Sequence, residues 1–358
     1  MNPQQSQSIF LYCRQGFEAE CAAEIQEKAA NLDIHGYCKA KNNSAYVIFT
    51  PVNPEGAEEL CQLLDFGQLV FARQWFVVLI MRNDLPITDR LGPLVQGLTA
   101  MPAKAESISI ETPDTNEAKQ LSSLCKSIKK PAESLLAKAG LYQRGQTKEG
   151  LCCHISFMST HAAYAGYSYR NNSASWPTGI PRLRFPAAAP SRSTLKLDEA
   201  FLTFLTEGER ERVLQPGMLA VDLGASPGGW TLQLVQRGLK VTAVDNGAMS
   251  ENVMETGLVA HLREDGYTFQ PDCSVDWMVC DIVEKPIRTA EMAAKWLING
   301  WCKRAMFNLK LPMKKRWQEL KRCLDLIEKN LHEANVSYEL KAKQLYHDRE
   351  EVTVYISQ

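Results

Sequence analysis

The sequence lacks an excess of charge of either sign, a long apolar run and a paired cysteine motif. Its 40 basic and 41 acidic residues give a formal net charge of −1, so any nucleic-acid surface must come from a local patch. No apolar run reaches the length of a membrane span. The opening MNPQQSQSIF also lacks the basic and apolar regions of an export signal. We therefore expect a cytoplasmic protein that does not enter a membrane.

Cysteine is plentiful, but its spacing is uninformative. Eleven cysteines are present, and the nearest pair, Cys152 and Cys153, is adjacent rather than spaced as in a Cys-x-x-Cys zinc motif. The sequence therefore predicts no metal site and no disulfide framework. Buried, reduced thiols are the expected state in the cytoplasm.

The most informative stretch that is present is Met218–Trp230, MLAVDLGASPGGW. An apolar strand runs into the turn Asp222–Gly229, and a helix-compatible segment follows at once. This order is typical of the first βα unit of a doubly wound sheet, where ligands bind at the carboxyl ends of the strands. The turn lacks the G-x-G-x-x-G pattern that wraps a pyrophosphate. It therefore favours S-adenosylmethionine over a nicotinamide dinucleotide as the cofactor.

The distribution of turns and periodic segments predicts several domains. Residues 1–82 follow a β-α-β-α-β order compatible with a ferredoxin-like α+β domain, and residues 83–170 form a second α+β unit. The segment 171–190 contains four prolines and a glycine and is a predicted linker. Residues 191–358 alternate regularly and end in a hairpin. Seven strands predict a Rossmann-like, class I methyltransferase domain with a doubly wound sheet.

Acidic residues at two further strand ends are candidates for holding the cofactor. Asp245 closes the strand KVTAVD, twenty-one residues after Gly224, where a carboxylate can accept hydrogen bonds from ribose hydroxyls. Asp265, after the third strand, is either an acceptor for the adenine amino group or an ordinary turn residue. Asp222 is expected behind the turn, where it would orient the loop backbone without contacting the cofactor.

Four charged residues fall at topologically related points and form the predicted catalytic set. Asp281 ends the fourth strand and Lys310 the fifth, while Lys196 lies in the preceding helix and Glu351 begins the last strand. A neutral lysine amine can remove the proton of a ribose 2′-hydroxyl, and a second ammonium nearby should lower its pKa. Each residue taken alone is as well explained by a surface ion pair.

The chain resembles FtsJ-type (RrmJ-like) ribose 2′-O-methyltransferases over residues 185–358. The resemblance is carried by Ser191-Arg192-Ser193 with Lys196, by the Asp222–Gly229 loop, and by the strand-end set. It implies that Lys310 accepts the proton. It also implies that the following residues line the cofactor: Ser193, Ser226, Pro227, Gly228, Gly229, Asp245, Asp265 and Asp281.

The run Phe185–Leu197 extends the resemblance to family members that modify the large ribosomal subunit. That likeness implies methylation of a cytidine 2′-hydroxyl in 23S rRNA or in a large-subunit assembly precursor. It also implies a THUMP-like RNA-binding character for residues 83–170. A monomer without an obligate protein partner is expected. A nicotinamide oxidoreductase and a non-catalytic RNA-binding assembly factor are the open alternatives.

A local basic patch precedes the catalytic set. Arg182, Arg184 and Arg192 are predicted to bind RNA phosphates. The nearby aromatic residues Tyr167, Tyr169 and Trp176 are candidates for stacking on unpaired bases.

Overall fold

The computed structural model describes residues 7–358. The chain divides into two compact units, the first ending at Pro181 and the second comprising Arg182–Gln358. Each unit is built on its own seven-stranded sheet.

The sheet of the first unit is mainly antiparallel. Its strand order is β2-β3-β1-β4-β7-β6-β5, and β5 and β6 are its parallel pair. The strands are β1 (Ser8–Tyr12), β2 (Gly36–Ala40), β3 (Tyr46–Pro51), β4 (Gln74–Arg82), β5 (Ala105–Glu111), β6 (Leu151–Phe157) and β7 (Ala163–Tyr169). The helices are α1 (Glu18–Ala30), α2 (Gly56–Leu63), α3 (Gly92–Leu98) and α4 (Ser122–Lys138).

The predicted β-α-β-α-β order of the first 82 residues is wrong by one strand. The order is β-α-β-β-α-β, because β2 pairs with β3 at the edge of the sheet. Its sequence GYCKA has no fully buried side chain, so it gives no alternation of apolar and polar residues. An edge strand of this kind is specified by its neighbour more than by its own pattern.

The second unit has the predicted seven-stranded sheet with helices α5 to α10. The strand order is β10-β9-β8-β11-β12-β14-β13, parallel from β10 to β12 and antiparallel at β14 and β13. The strands are β8 (Leu219–Leu223), β9 (Lys240–Val244), β10 (Val259–Leu262), β11 (Val275–Cys280), β12 (Cys302–Lys310), β13 (Glu339–Lys343) and β14 (Glu351–Ser357). The helices are α5 (Thr194–Phe204), α6 (Glu207–Val213), α7 (Gly229–Val235), α8 (Glu251–Met254), α9 (Pro286–Ile298) and α10 (Arg316–Glu333).

The topological switch point of this sheet lies between β8 and β11. The chain passes outward through β9 and β10 and then crosses back to β11 on the other side of β8. Such a reversal opens a crevice at the carboxyl ends of the two strands. Both strands are buried, as expected for parallel strands covered on two faces. The prediction that Cys280 is a core residue is confirmed, since its side chain is inaccessible.

Within residues 7–358, the described part of the chain, neither a membrane-spanning helix nor a metal-binding cluster is present. No helix in this range is long and apolar enough to cross a membrane. No group of three or more histidine, cysteine or acidic side chains in this range is arranged to hold a metal ion.

Candidate active site

The loop after β8 lies at the crevice and is shaped by its glycines. Gly224 and Gly228 have φ values of 76° and 110°, in the left-handed region that favours glycine. Gly229 packs against the start of α5, where an added Cβ would come within 2.4 Å of Ser193 Oγ. Ser193 Oγ in turn lies 2.6 Å from Ser191 Oγ. The predicted cofactor loop and the segment Ser191–Ser193 are therefore in direct contact.

Asp245 and Asp265 both hold backbone at strand ends. Asp245 accepts hydrogen bonds from the backbone amides of Ser226 at 3.0 Å and Gly247 at 2.7 Å. Asp265 accepts from the amide of Tyr267 at 2.8 Å and is exposed. A carboxylate oxygen accepts more than one hydrogen bond. Both groups therefore keep acceptor capacity for ligand hydroxyl or amino groups.

Asp222 lies beneath the loop, as the sequence indicates. It is buried, and the Thr231 hydroxyl donates to its Oδ2 at 2.6 Å. Burial raises the pKa of Asp222 to about 7. This hydrogen bond ties Asp222 to the first turn of α7, which fits a role in supporting the loop.

The four residues predicted to be catalytic lie in one cluster, which we call the lysine–carboxylate cluster. Lys310 and Glu351 are directly opposite each other on β12 and β14. Asp281 follows β11, and Lys196 reaches in from α5, with its Nζ 3.2 Å from Asp281 Oδ2. Further ion pairs join Lys196 to Glu351, Lys310 to Asp281 and Lys310 to Glu351. Each lysine thus contacts both carboxylates.

The cluster is well shielded from solvent but not closed. The side-chain exposures of its two lysines are 15% and 19%, and those of its carboxylates are 15% and 6%. Two charges of each sign in a partly desolvated site interact strongly. A surface ion pair does not describe this arrangement.

The predicted depression of a lysine pKa is wrong for this arrangement. Burial alone would lower the pKa of Lys310, but the charges of Asp281 and Glu351 outweigh it and raise that pKa above its ordinary value. For Asp281, burial is likewise outweighed, here by Lys310 and Lys196, and its pKa is lowered. A neighbouring ammonium lowers a lysine pKa, but here the two carboxylates that both lysines contact outweigh that effect.

Asn308 is a member of the site that sequence reasoning missed. It is fully buried two residues before Lys310, and its Nδ2 donates to Asp281 Oδ1 at 2.9 Å. In a strand, residues two apart point to the same face. A polar amide in the otherwise apolar run MFNL, just before Lys310, was the available signal.

The predicted RNA-binding arginines Arg182, Arg184 and Arg192 are all exposed on the second unit. The Arg182 guanidinium lies over the Tyr346 ring, 5.4 Å from its centroid. The proposed stacking role of Tyr167 is wrong. That side chain is buried, and its hydroxyl donates to Glu58.

Comparison with known proteins adds three family models that match successive parts of the chain. The RlmM ferredoxin-like domain matches residues 6–76, and the N-terminal domain of ribosomal RNA large subunit methyltransferase M matches residues 89–169. The FtsJ-like methyltransferase domain matches residues 189–352. The chain belongs to the ribosomal RNA large subunit methyltransferase M family. The predicted ferredoxin-like region and Rossmann-like methyltransferase domain are thereby confirmed.

Relatives in this family match nearly end to end. Ribosomal RNA large subunit methyltransferase M of Pasteurella multocida is 49% identical, with 98% of each chain covered. That of Shewanella denitrificans is 50% identical over 98% of this chain and 96% of the relative. That of Klebsiella pneumoniae is 48% identical over 97% and 95%. The family uses S-adenosylmethionine as its methyl donor, so the predicted cofactor is confirmed.

Solved structures give a more distant likeness. TrmN from Thermus thermophilus is 14% identical with a TM-score of 0.34, covering 98% of both chains. SMU.472, a putative methyltransferase complexed with SAH, is 11% identical with a TM-score of 0.34, covering 99% of this chain and 98% of that one.

Proposed function

We propose that this large-subunit rRNA methyltransferase acts on the 2′-hydroxyl of a cytidine in 23S rRNA or its assembly precursor. The observation that carries the proposal is the lysine–carboxylate cluster at the carboxyl ends of the strands. A ribose hydroxyl needs a base to become a nucleophile. Two half-buried lysines joined by two carboxylates supply a base together with groups that orient it.

The cofactor site that we propose lies along the neighbouring strand ends. S-adenosylmethionine supplies a methyl group on a positively charged sulfonium when bound. The close packing of Gly229 on Ser193 and the acceptor capacity of Asp245 and Asp265 fit a nucleoside with an amino acid tail. The set that would hold it is Ser193, Ser226, Pro227, Gly228, Gly229, Asp245, Asp265 and Asp281.

In the proposed reaction, Lys310 receives the hydroxyl proton. Bound S-adenosylmethionine would supply the methyl group with its sulfur as the leaving group, and Lys310 Nζ would take the proton of the ribose hydroxyl that accepts the methyl group. Lys196 and Glu351 hold the hydroxyl and the base in line, and Asp281 orients both lysines. In-line displacement depends mainly on such positioning.

Because its carboxylate partners raise its pKa, Lys310 must first lose a proton. The positive charge that a bound sulfonium would supply nearby would favour that loss, since like charges disfavour the protonated amine.

The first unit would bind the RNA. Within it, residues 1–82 would form a ferredoxin-like domain and residues 83–170 a THUMP-like domain. The segment 171–190 would link it to the catalytic domain, 191–358. Arg182, Arg184 and Arg192 would bind phosphates beside the active site. We propose a monomer that acts in the cytoplasm, where its rRNA substrate is assembled into ribosomes.

The test is the chemical position of the methyl group. The purified protein is incubated with isotopically labelled S-adenosylmethionine and with deproteinised 23S rRNA or large-subunit precursors, and the RNA is digested to nucleosides. Label in 2′-O-methylcytidine supports the proposal. Label in a methylated base or in another ribose overturns it, and no transfer to any of these RNAs would favour a non-catalytic assembly factor.

A further inference from the structure

Behind the lysine–carboxylate cluster lies a buried chain of polar side chains that the proposed reaction does not use. It runs from Asn308 through Thr353 to Asp348, and all three residues are inaccessible to solvent. Asn308 and Thr353 are directly opposite each other on β12 and β14, two residues from the Lys310–Glu351 pair on each strand. Residues two apart on a strand share a face. The register between β12 and β14 that pairs Lys310 with Glu351 therefore also places Asn308 opposite Thr353.

The direction of the hydrogen bonds along this chain is fixed at its cluster end. Asp281 faces two lysines, so it is ionised and only accepts. Asn308 must turn its amino group to Asp281, at 2.9 Å, and its carbonyl oxygen away. That oxygen takes its hydrogen bond from the Thr353 hydroxyl at 2.7 Å. The single proton of Thr353 is thereby committed to Asn308.

The other end of the chain then needs a donor. Thr353 Oγ1 lies 3.2 Å from Asp348 Oδ1 and 3.0 Å from Asp348 Oδ2. Asp348 Oδ2 already accepts from the Leu345 amide at 2.9 Å. With its proton on Oδ1, Asp348 donates to Thr353, and every group in the chain is satisfied. An ionised Asp348 would instead compete with Asn308 for one proton and leave a buried acceptor unpaired, which is costly.

We propose that Asp348 acts as a neutral acid and is a positioning residue, orienting Asp281 and through it both lysines by way of Thr353 and Asn308. This inference rests on the proposed function of the lysine–carboxylate cluster.

The electrostatic surroundings agree with this assignment. Burial first, and then the charges of Glu351 and Glu199, raise the pKa of Asp348 well above its ordinary value, whereas Lys196 acts in the opposite sense.

The sharpest test compares variants that keep or remove the donor. In Asp348→Asn, the amide oxygen accepts from Leu345 and the amino group donates to Thr353, so the chain stays complete. Asp348→Ala and Thr353→Val each break it. Thr289→Val is the matched control, because Thr289 is equally buried in α9 and its hydroxyl pairs with Tyr267 at 2.9 Å, outside the chain.

The readouts are the single-turnover methyl-transfer rate, the Kd for S-adenosylmethionine and for RNA, and the Tm. We expect Asp348→Ala and Thr353→Val to lower the rate by about 10- to 100-fold with little change in either Kd, as for misplacement of a reacting group. Asp348→Asn and Thr289→Val should stay within about twofold of wild type. The double variant D348A/T353V should be no slower than the slower single variant, because both changes break one chain.

Three outcomes would overturn the positioning role: a Thr353→Val rate equal to wild type, an Asp348→Asn rate as low as that of Asp348→Ala, or additive losses in the double variant. If Asp348→Ala fails to fold, the methyl-transfer rates of Thr353→Val and Asp348→Asn still test the positioning role, because only Thr353→Val is expected to be slow. The wild-type product tests the proposed function separately. Methylation at a base would overturn that function, whereas 2′-O-methylcytidine with unaffected variants would overturn this inference alone.

Discussion

Two buried acids, Glu24 in the first unit and Glu351 in the second, have different kinds of partner although both are hidden from solvent. In the first unit, Glu24 is fully buried, and its two oxygens accept from the amides of Val70 and Phe71 at 2.6 and 2.9 Å. In the second unit, Glu351 is 4% exposed and faces two lysines. The kind of partner that a buried carboxylate has, more than its burial, therefore indicates whether it is a structural acid, which stabilises the fold, or a chemical acid, which takes part in the reaction.

The difference has a physical basis. A backbone amide is fixed by the fold and does not titrate at neutral pH, so these two contacts of Glu24 hold the backbone at Val70 and Phe71 in one conformation. A lysine side chain can move and can exchange its proton with a ligand. A carboxylate that holds a lysine therefore controls where a proton acceptor sits. Glu199 in the second unit combines both kinds of partner, since it accepts from the amides of Tyr346 and His347 and its Oε2 also lies 2.6 Å from the His347 imidazole Nδ1.

The largest expected effect comes from removing the proton acceptor. Lys310→Ala should lower the single-turnover methyl-transfer rate by about 10²- to 10⁴-fold, the range typical of a lost general base. The Kd for S-adenosylmethionine should change little. Rapid-quench measurement of labelled methyl transfer checks the rate, and equilibrium dialysis checks the binding.

Lys303→Ala is the matched control for this change. Lys303 lies on the same strand but is exposed and pairs with Asp276 at 2.8 Å. Its loss should leave the rate unchanged. Equal rates for the two variants would place the proton acceptor elsewhere.

The second prediction concerns pH. Because the carboxylates raise the pKa of Lys310, the amine is almost wholly protonated at neutral pH, and its neutral fraction grows about tenfold per pH unit below that pKa. The single-turnover rate should therefore rise by about 100-fold between about pH 7 and pH 9. A rate that stays level over this range, with chemistry shown to limit it, would contradict a raised lysine pKa in the reacting complex.

The sequence predicts those parts of the molecule that depend on local pattern and topology. The Asp222–Gly229 loop and the strand-end positions of Asp281 and Lys310 follow from the order of strands, because parallel strands bring their carboxyl ends to one edge. The edge strand β2 could not be predicted from its own composition. The buried chain Asn308–Thr353–Asp348 depends on the register between β12 and β14, which no single segment encodes.

The direction of the Lys310 pKa shift could not be predicted from the sequence for a related reason. It depends on how many carboxylates each ammonium touches, and two shared carboxylates reverse the effect of one neighbouring lysine.

The third prediction tests the structural acid. Glu24→Gln replaces one acceptor oxygen by an amino group that faces a backbone amide, leaving buried donors unpaired. We expect the free energy of unfolding to fall by about 1–3 kcal/mol, measured by chemical denaturation with a probe in the first unit. The methyl-transfer rate per folded molecule at saturating RNA should be unchanged. A rate loss without a stability loss would remove the distinction between the two kinds of buried acid.

The smallest expected effect concerns cations outside the lysine–carboxylate cluster. Arg182 and Arg184 are exposed, so their guanidinium groups are accessible to RNA phosphates. Reversing both charges, in R182E/R184E, should weaken RNA binding by about tenfold and reduce its salt dependence, since fewer counterions are released. The Kd for S-adenosylmethionine and the single-turnover rate at saturating RNA should match wild type. Filter binding at several salt concentrations provides the measurement.

The matched control is K126E/K129E, which makes the same charge change on the exposed face of α4 and should have little effect on RNA binding. Equal losses in the two double variants would mean that net charge alone attracts the RNA. An unchanged Kd for R182E/R184E would remove these arginines from the interface.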